Sequence, residues 1–398
     1  MNIAKRLYSR AYQKVFKLVM PLLPWRKPEL IEGGIAALPK FIKKKCIDSV
    51  LLVTDKGISS LGLTTPLIKG LKELSIKCAV YDKTVPNPTI DNIEEGLKVY
   101  HENKCSAIIA FGGGSPMDCA KIIGARVARP NKSVQKMKGI LKILKPTPPI
   151  FAVPTTAGTG SEATLAAVIT NSKTHEKYPI NDPVLIPKYA VLDPEITVKL
   201  PKHITSTTGM DALTHAVEAY IGGSNTKETK EMAKAAVKLI FENLKKAYDN
   251  GEDIEARKNM QLASYYAGIA FTRAYVGYVH AVAHTLGGFY NAPHGLANAV
   301  ILPYFLEEYG EKVWKSLAEL ADVAGIEGAS DEEKCANFIK AVKDLNKYML
   351  IPEKLDFIKE EDIPLMAKRA DAEGNPLYPV PVLMDRQKLE QMYYKIMK

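Results

Sequence analysis

The sequence predicts an α/β dinucleotide-binding domain built on a parallel sheet, followed by an all-helical domain. Three observations lead there. Between Glu32 and about Leu192, short apolar runs without polar alternation are separated by helical stretches, as expected of strands buried on both faces by crossover helices. After Asp193-Pro194 the β-branched runs give way to long helical patterns. The 398 residues, 46% hydrophobic and 25% charged, suffice for two ordinary globular domains.

Taken in order, the expected divisions are a basic amphipathic extension over 1–27, an α/β domain over 28–200 and a helical domain over 201–398. Candidate strands are Ser49–Thr54, Cys78–Tyr81, Ala107–Phe111, Ile150–Val153 and Ala190–Leu192, with helices over Ser60–Leu74 and Thr89–Asn103 between them. Further on, Lys227–Asn250, Ile254–Phe271 and Glu311–Ala324 carry the helical period, while Gly325–Asp331 and Glu373–Pro381 read as loops.

The formal charge of +10 raises the question of nucleic acid, and its location answers it. Residues 1–27 hold Lys5, Arg6, Arg10, Lys14, Lys17, Arg26 and Lys27 and no acid. The rest of the chain is near balance and carries no nucleic-acid-binding motif, so no nucleic-acid partner is expected. Within the extension, Ile3, Leu7, Tyr8, Tyr12, Val15 and Phe16 recur at helical spacing. Packing against the body of the protein or a partner subunit is their expected role, and attachment to an anionic membrane surface is the alternative. No later run approaches a membrane span, and five cysteines without a C-x-x-C pair suit reduced thiols in a cytoplasm.

Two segments point to a metal. GMDALTHAVEAY (209–220) spaces Asp211 and His215 by four, on one helical face. GYVHAVAHTLGGFYNAPHG (277–295) carries His280, His284 and His294. One carboxylate with two or three imidazoles suits zinc or ferrous iron with a position open to substrate. Spacing alone does not choose between His280 and His284.

Two loops point to a nucleotide. AIIAFGGGSPMDCAKIIGA (107–125) is a strand, a glycine turn and a helix start, whose free N–H groups suit a diphosphate; it is not G-x-G-x-x-G. Locally it reads equally as a structural turn. PTTAGTGSEAT (154–164) follows the next strand with hydroxyls and glycines where open α/β sheets bind ligands. Asp55, in LLVTDKG, suits a ribose hydroxyl pair and repels a 2′-phosphate, or it simply forms the turn ahead of Gly57.

Together with VPNPT (85–89), LDPEIT (192–197) and HAVAHTLGGFYNAPHGLANAVILP (280–303), these motifs resemble the iron-containing (group III) alcohol dehydrogenases from about Lys27 onward. The resemblance implies an architecture like that of dehydroquinate synthase and hydride transfer between a small alcohol or aldehyde and NAD(H). It implies Asp211, His215, His280 and His294 as ligands of Fe2+, with Zn2+ the alternative, and leaves His284 as a proton relay. For NAD it implies Asp55, Asn87, Gly113, Gly114, Ser115, Asp118, Thr155, Thr156, Thr159 and Lys177, with Asp55 favouring NAD over NADP. It also implies a homo-oligomer. Ala166 departs from the polar residue that many relatives place there, and EGGIAAL (32–38) from the usual entry turn. The rival readings are a metal-dependent lyase of the dehydroquinate synthase type and a non-enzymatic scaffold recruited through residues 1–27.

Overall fold

The computed structural model describes every residue except Asn2, Leu23, Pro24 and His175; the first three fall in the expected extension. The chain forms two compact units, one of Pro24–Lys199 and one of Met1–Leu23 with Leu200–Lys398.

In the first unit the elements run β1 (Glu29–Leu30), α2 (Gly34–Lys44), β2 (Ser49–Val53), α3 (Lys56–Ser60), α4 (Thr65–Glu73), β3 (Lys77–Tyr81), α5 (Ile90–Glu102), β4 (Ala107–Gly112), α6 (Gly114–Ala128), β5 (Gly139–Ile140), β6 (Ile150–Pro154), β7 (Ala166–Asn171), β8 (Glu176–Asn181) and β9 (Tyr189–Ala190). Six strands form one parallel sheet in the order β1-β9-β6-β4-β2-β3. Alternate residues of the same strands feed two cores. Leu51, Val53, Ile108, Ala110 and Ile150 face one, and Val50, Leu52, Ile109, Phe111 and Phe151 the other. Both faces are covered by apolar packing, which is why these strands show no polar alternation.

From β2 the chain steps outward to β3, then returns across β2 to β4. That reversal puts a switch point at the carboxyl ends of β2 and β4, where such sheets take their ligands. Asp55 follows β2, Gly113 follows β4, and Thr155 follows β6.

Three elements differ from expectation. The helix expected over Ser60–Leu74 begins only at Thr65, because Gly62, at a left-handed φ of 69°, turns the chain between the short α3 and α4. Residues 166–181, not read as structured, form the antiparallel hairpin β7–β8, which with β5 makes a second, three-stranded sheet. Its strands are short and half polar, so their period-2 signal is weak. The loop expected from Glu373 begins two residues later, at Asn375, since α14 runs to Gly374.

The second unit holds α1 (Ile3–Val19), then α7 (Lys202–Ile221), α8 (Lys227–Asp249), α9 (Ile254–Ala274), α10 (Tyr278–Tyr290), α11 (His294–Tyr309), α12 (Trp314–Val323), α13 (Asp331–Tyr348), α14 (Ile363–Gly374) and α15 (Arg386–Ile396). Side-chain caps start many of them: Thr226 with Thr229 for α8, Asp253 for α9, Ser330 for α13 and Asp385 for α15. Helix α7 has no solvent face from Gly209 to Ile221, where every residue is buried. It is apolar all round apart from a few polar residues, as a central helix must be. No helix among the described residues is long and apolar enough to cross a membrane.

Candidate functional site

A buried helix cannot leave charges unpaired without a cost of several kcal/mol. Helix α7 nevertheless carries Asp211, His215 and Glu218, each about 3% exposed. Their spacing of four and three residues sets all three on one stripe. What meets that stripe is the first turn of α10 and the first turn of α11.

Asp211, His215, His280 and His294 each offer one ligand atom, and these atoms all lie within 4.8 Å of one another. Metal–ligand distances of about 2.0–2.2 Å limit any ligand pair to about 4.4 Å, so the cluster needs only a few tenths of an ångström to close on an ion. The donors already converge. Asn298 Nδ2 donates to Asp211 Oδ1 at 2.7 Å and lies 3.2 Å from both His280 Nε2 and His294 Nε2. Three acceptors therefore aim at one partially positive group, as they would at a cation. A hard carboxylate with three borderline imidazoles fits a divalent iron or zinc ion.

Close packing sets this geometry. A β-carbon on Gly295 would come within 2.4 Å of the Thr207 carbonyl oxygen. Only glycine lets the start of α11 approach α7 closely enough to bring His294 Nε2 to 3.7 Å from Asp211 Oδ1. His215 is fixed between rings, stacked on Phe271 at 4.1 Å and on His280 at 4.5 Å.

Glu218 completes the arrangement, and the sequence reading missed it although it stands in the quoted motif. Its Oε2 lies 2.5 Å from His280 Nδ1, and its Oε1 accepts from the Val279 N–H at 2.9 Å. The carboxylate thus sits at the N-terminus of α10, where N–H groups and helix dipole favour negative charge. It also directs His280 Nε2 toward the cluster, as carboxylate–imidazole pairs do for metal ligands. Burial pushes Glu218 up to about 8 against those backbone donors. Burial, then the three neighbouring imidazoles, holds His280 well below its ordinary value, so its ring is neutral. The available signal was the spacing alone: Glu218 is seven residues from Asp211 and three from His215.

His284 lies outside the four-ligand cluster. Its ring stacks on His294 at 5.2 Å, and its Nδ1 meets Glu373 Oε1 at 2.7 Å, an oxygen that also accepts from Tyr378 Oη at 2.7 Å. Glu373 and Tyr378 fall in or beside a segment expected to be a loop, so nothing local marked them.

In the sheet unit the expected nucleotide residues gather around the switch point. Gly113 and Gly114 open α6, and β-carbons there would press on Thr156 at 3.4 Å and Thr159 at 3.1 Å. The two loops are thus in contact, and the first-turn N–H groups of α6 could take an anion. Asn87, at a left-handed φ of 57°, donates its N–H to Ser115 Oγ at 3.3 Å and accepts from Lys177 Nζ at 2.8 Å. Lys177 arrives on β8 of the unforeseen hairpin. Thr155 is buried, and its N–H donates to the Gly112 carbonyl at 3.1 Å. Asp55 Oδ1 caps α3 through the Ile58 N–H, which realises the turn-forming alternative for one of its two oxygens.

Asp118 is half-buried, accepting from Ser161 Oγ at 3.0 Å and the Val168 N–H at 2.9 Å. Beside it, Lys121 Nζ donates within the second loop to Ser161 Oγ, Thr164 Oγ1 and the carbonyls of Thr164 and Ala166, at 2.9–3.0 Å. Burial lowers Lys121 to about 8 and raises Asp118; desolvation outweighs their mutual attraction. The pair braces PTTAGTGSEAT from behind, and Ala166 enters it through its carbonyl alone.

A cluster able to hold a divalent ion and loops suited to a dinucleotide, on one chain, fit a metal-dependent oxidoreductase. The comparisons narrow the class. Residues 30–194 match the family "Iron-containing alcohol dehydrogenase", and 205–397 match "Fe-containing alcohol dehydrogenase family, C-terminal". The chain is 41% identical to Alcohol dehydrogenase 4 of Saccharomyces cerevisiae over 341 residues, 85% of this chain and 88% of that protein. It is 38% identical to the NAD-dependent methanol dehydrogenase of Bacillus methanolicus, over 85% of this chain and 90% of that one. A crystal structure of 1,3-propanediol oxidoreductase superposes with a TM-score of 0.89 at 36% identity, covering 94% and 98% of the two chains. The chain belongs to the iron-containing alcohol dehydrogenase family.

Two outcomes follow from the bracing residues. Glu218→Gln forces an amide against either the Val279 N–H or the His280 Nδ1–H; metal affinity should fall about 10–100-fold, read by titration of metal into the apo-protein, with NADH binding retained. Lys121→Met strips two loop hydroxyls and the carbonyls of Thr164 and Ala166 of their buried donor. It should cost about 1–3 kcal/mol of stability, read by calorimetry, and weaken NADH binding.

Proposed function

We propose that the chain interconverts small alcohols and aldehydes with NAD(H), in the cytoplasm, using one divalent ion held by Asp211, His215, His280 and His294. The observation that carries this reading is the convergence of those four ligand atoms within 4.8 Å in a buried helix interface. When bound, the ion acts as a Lewis acid toward the substrate oxygen and NAD(H) exchanges the hydride, chemistry that no side chain supplies.

The remaining work falls to this chain's residues. Glu218 and Asn298 hold the imidazoles and Asp211 in place. His284, outside the four-ligand cluster and oriented by Glu373 through Nδ1, is left with Nε2 to pass a proton to or from the substrate oxygen. Gly113, Gly114 and Ser115 bind the pyrophosphate at the start of α6, with Thr155, Thr156 and Thr159 closing the cradle from the second loop. Asn87 and Lys177, already paired, contact the nucleotide together. Asp55 keeps Oδ2 for the ribose hydroxyls while Oδ1 caps α3. Asp118 and Lys121 act behind the loops, as positioning residues. Iron is the expected ion, with zinc as the alternative that the same donors accept.

Two experiments check the assignment. Chelation should abolish NADH formation from a panel of primary alcohols, and Fe(II) or Zn(II) should restore it. In the same assay His280→Ala should lose metal, whereas His284→Ala should retain metal and lose about 10²–10⁴-fold in kcat. Net NADH accumulation also separates this activity from a lyase that uses NAD transiently. Asp55→Gly keeps a competent helix cap at a cost of a few tenths of a kcal/mol, so its effect reports on the nucleotide: the NADP/NAD ratio of kcat/KM should rise at least about tenfold. An unchanged ratio removes Asp55 from the ribose site.

A further inference from the structure

Helix α1 is amphipathic in the reverse sense. Its docked stripe is Ser9, Gln13 and Phe16, the positions i, i+4 and i+7 of one face, continued by Met20 in the turn that follows, and its hold on the body is mostly polar. The Gln13 side-chain amide donates to the Tyr378 carbonyl at 2.6 Å, the Arg10 guanidinium to the carbonyls of Val380 and Pro381 at 2.8 Å, and Lys5 pairs with Asp371 at 2.7 Å. Phe16 adds an edge-on contact with Tyr275 at 4.9 Å. The apolar residues expected to pack inward mostly point the other way. Ile3 is 78% exposed, Leu7 66%, Val15 60% and Leu18 75%. Together they present an apolar face, broken by Lys14, of the kind that marks an interaction surface.

Charge selects the occupant. Arg6, Lys14 and Lys17 are exposed, Lys14 within this face and the other two along its edge, and residues 1–27 contain no acid. A second copy of the chain, meeting this face about a two-fold axis, would set positive charge on positive charge. An anionic lipid surface instead takes the apolar side chains into its acyl boundary and the basic ones among its headgroups. The polar contacts on the opposite side keep α1 anchored to the enzyme while it does so.

We propose that α1 attaches the folded enzyme to membranes bearing anionic phospholipid headgroups, lying in the interface rather than crossing it. The test is flotation of the full-length protein with vesicles of phosphatidylcholine containing 30% phosphatidylglycerol (about 30%, a usual anionic content), against pure phosphatidylcholine. Association is expected with the anionic vesicles only, falling in high salt. Leu7→Asp with Leu18→Asp should reduce it at least about tenfold, and each of Lys14→Glu and Lys17→Glu at least about fivefold. All variants should keep wild-type NADH turnover and mass in solution, which shows that they are folded and separates this test from that of the catalytic reading. Absence of flotation, or equal flotation of wild type and the aspartate variant, overturns the proposal. So does a wild-type oligomer that the aspartate variant dissociates without any lipid binding, which would make the face an interface between copies.

Discussion

The arrangement of the helical unit depends on one constraint, that α7 carries ionisable side chains on a helix without a solvent face. Each such group demands a partner, because desolvating a lone charge costs more than any single contact in the fold returns. Glu218 is met by the backbone donors of the α10 N-terminus. Asp211 is met by Asn298 from α11. Helices α10 and α11 are therefore placed by the electrostatic needs of α7 as well as by apolar packing. The same placement delivers His280 and His294. Satisfying the buried charges and assembling the ligand cluster are one structural event.

The sheet unit solves a different problem by a related device. Two loops must present backbone N–H groups to a ligand, and a Ser/Thr/Gly-rich loop has little conformational preference of its own. A buried ammonium with four acceptors spanning Ser161–Ala166 fixes the second loop. Asp118 ties that loop to the helix that follows the first. The glycines of the first loop then lie against Thr156 and Thr159. Ordering the loops in advance removes an entropy cost that ligand binding would otherwise meet.

The sheet was legible because strands buried on both faces leave continuous apolar runs, and Val50–Val53, Ile108–Phe111 and Ile150–Val153 are such runs. The split of α3 from α4 and the β7–β8 hairpin were not legible: one depends on a single backbone conformation at Gly62, the other on pairing between short, half-polar strands. In the site, Asp211 and His215 announce themselves by spacing, whereas the partners Asn298 and Glu373 are visible only once the chain is folded. Glu218 lies between these cases. Its position on the stripe is in the sequence, but reading it required knowing that the helix has no exposed face. The polarity of α1 was legible as an amphipathic period, yet the period does not say which face is docked. Arg10 and Gln13, reaching backbone carbonyls near the end of α14, decided that.

Two carboxylate–histidine pairs stand one helical turn apart on α10, and their difference is physical rather than chemical. In His280–Glu218 both side chains are nearly without solvent, at 3% and 1% exposure, so the pair is held rigidly and shut off from water. In His284–Glu373 they retain 17% and 22%, so solvent can compensate a proton arriving or leaving. The first environment suits an imidazole whose lone pair is committed to an ion; the second suits one that changes protonation state during turnover. Spacing of i and i+4 makes the two rings neighbours on one helix face, and their carboxylate partners, Glu218 on α7 and Glu373 on α14, hold them in different surroundings.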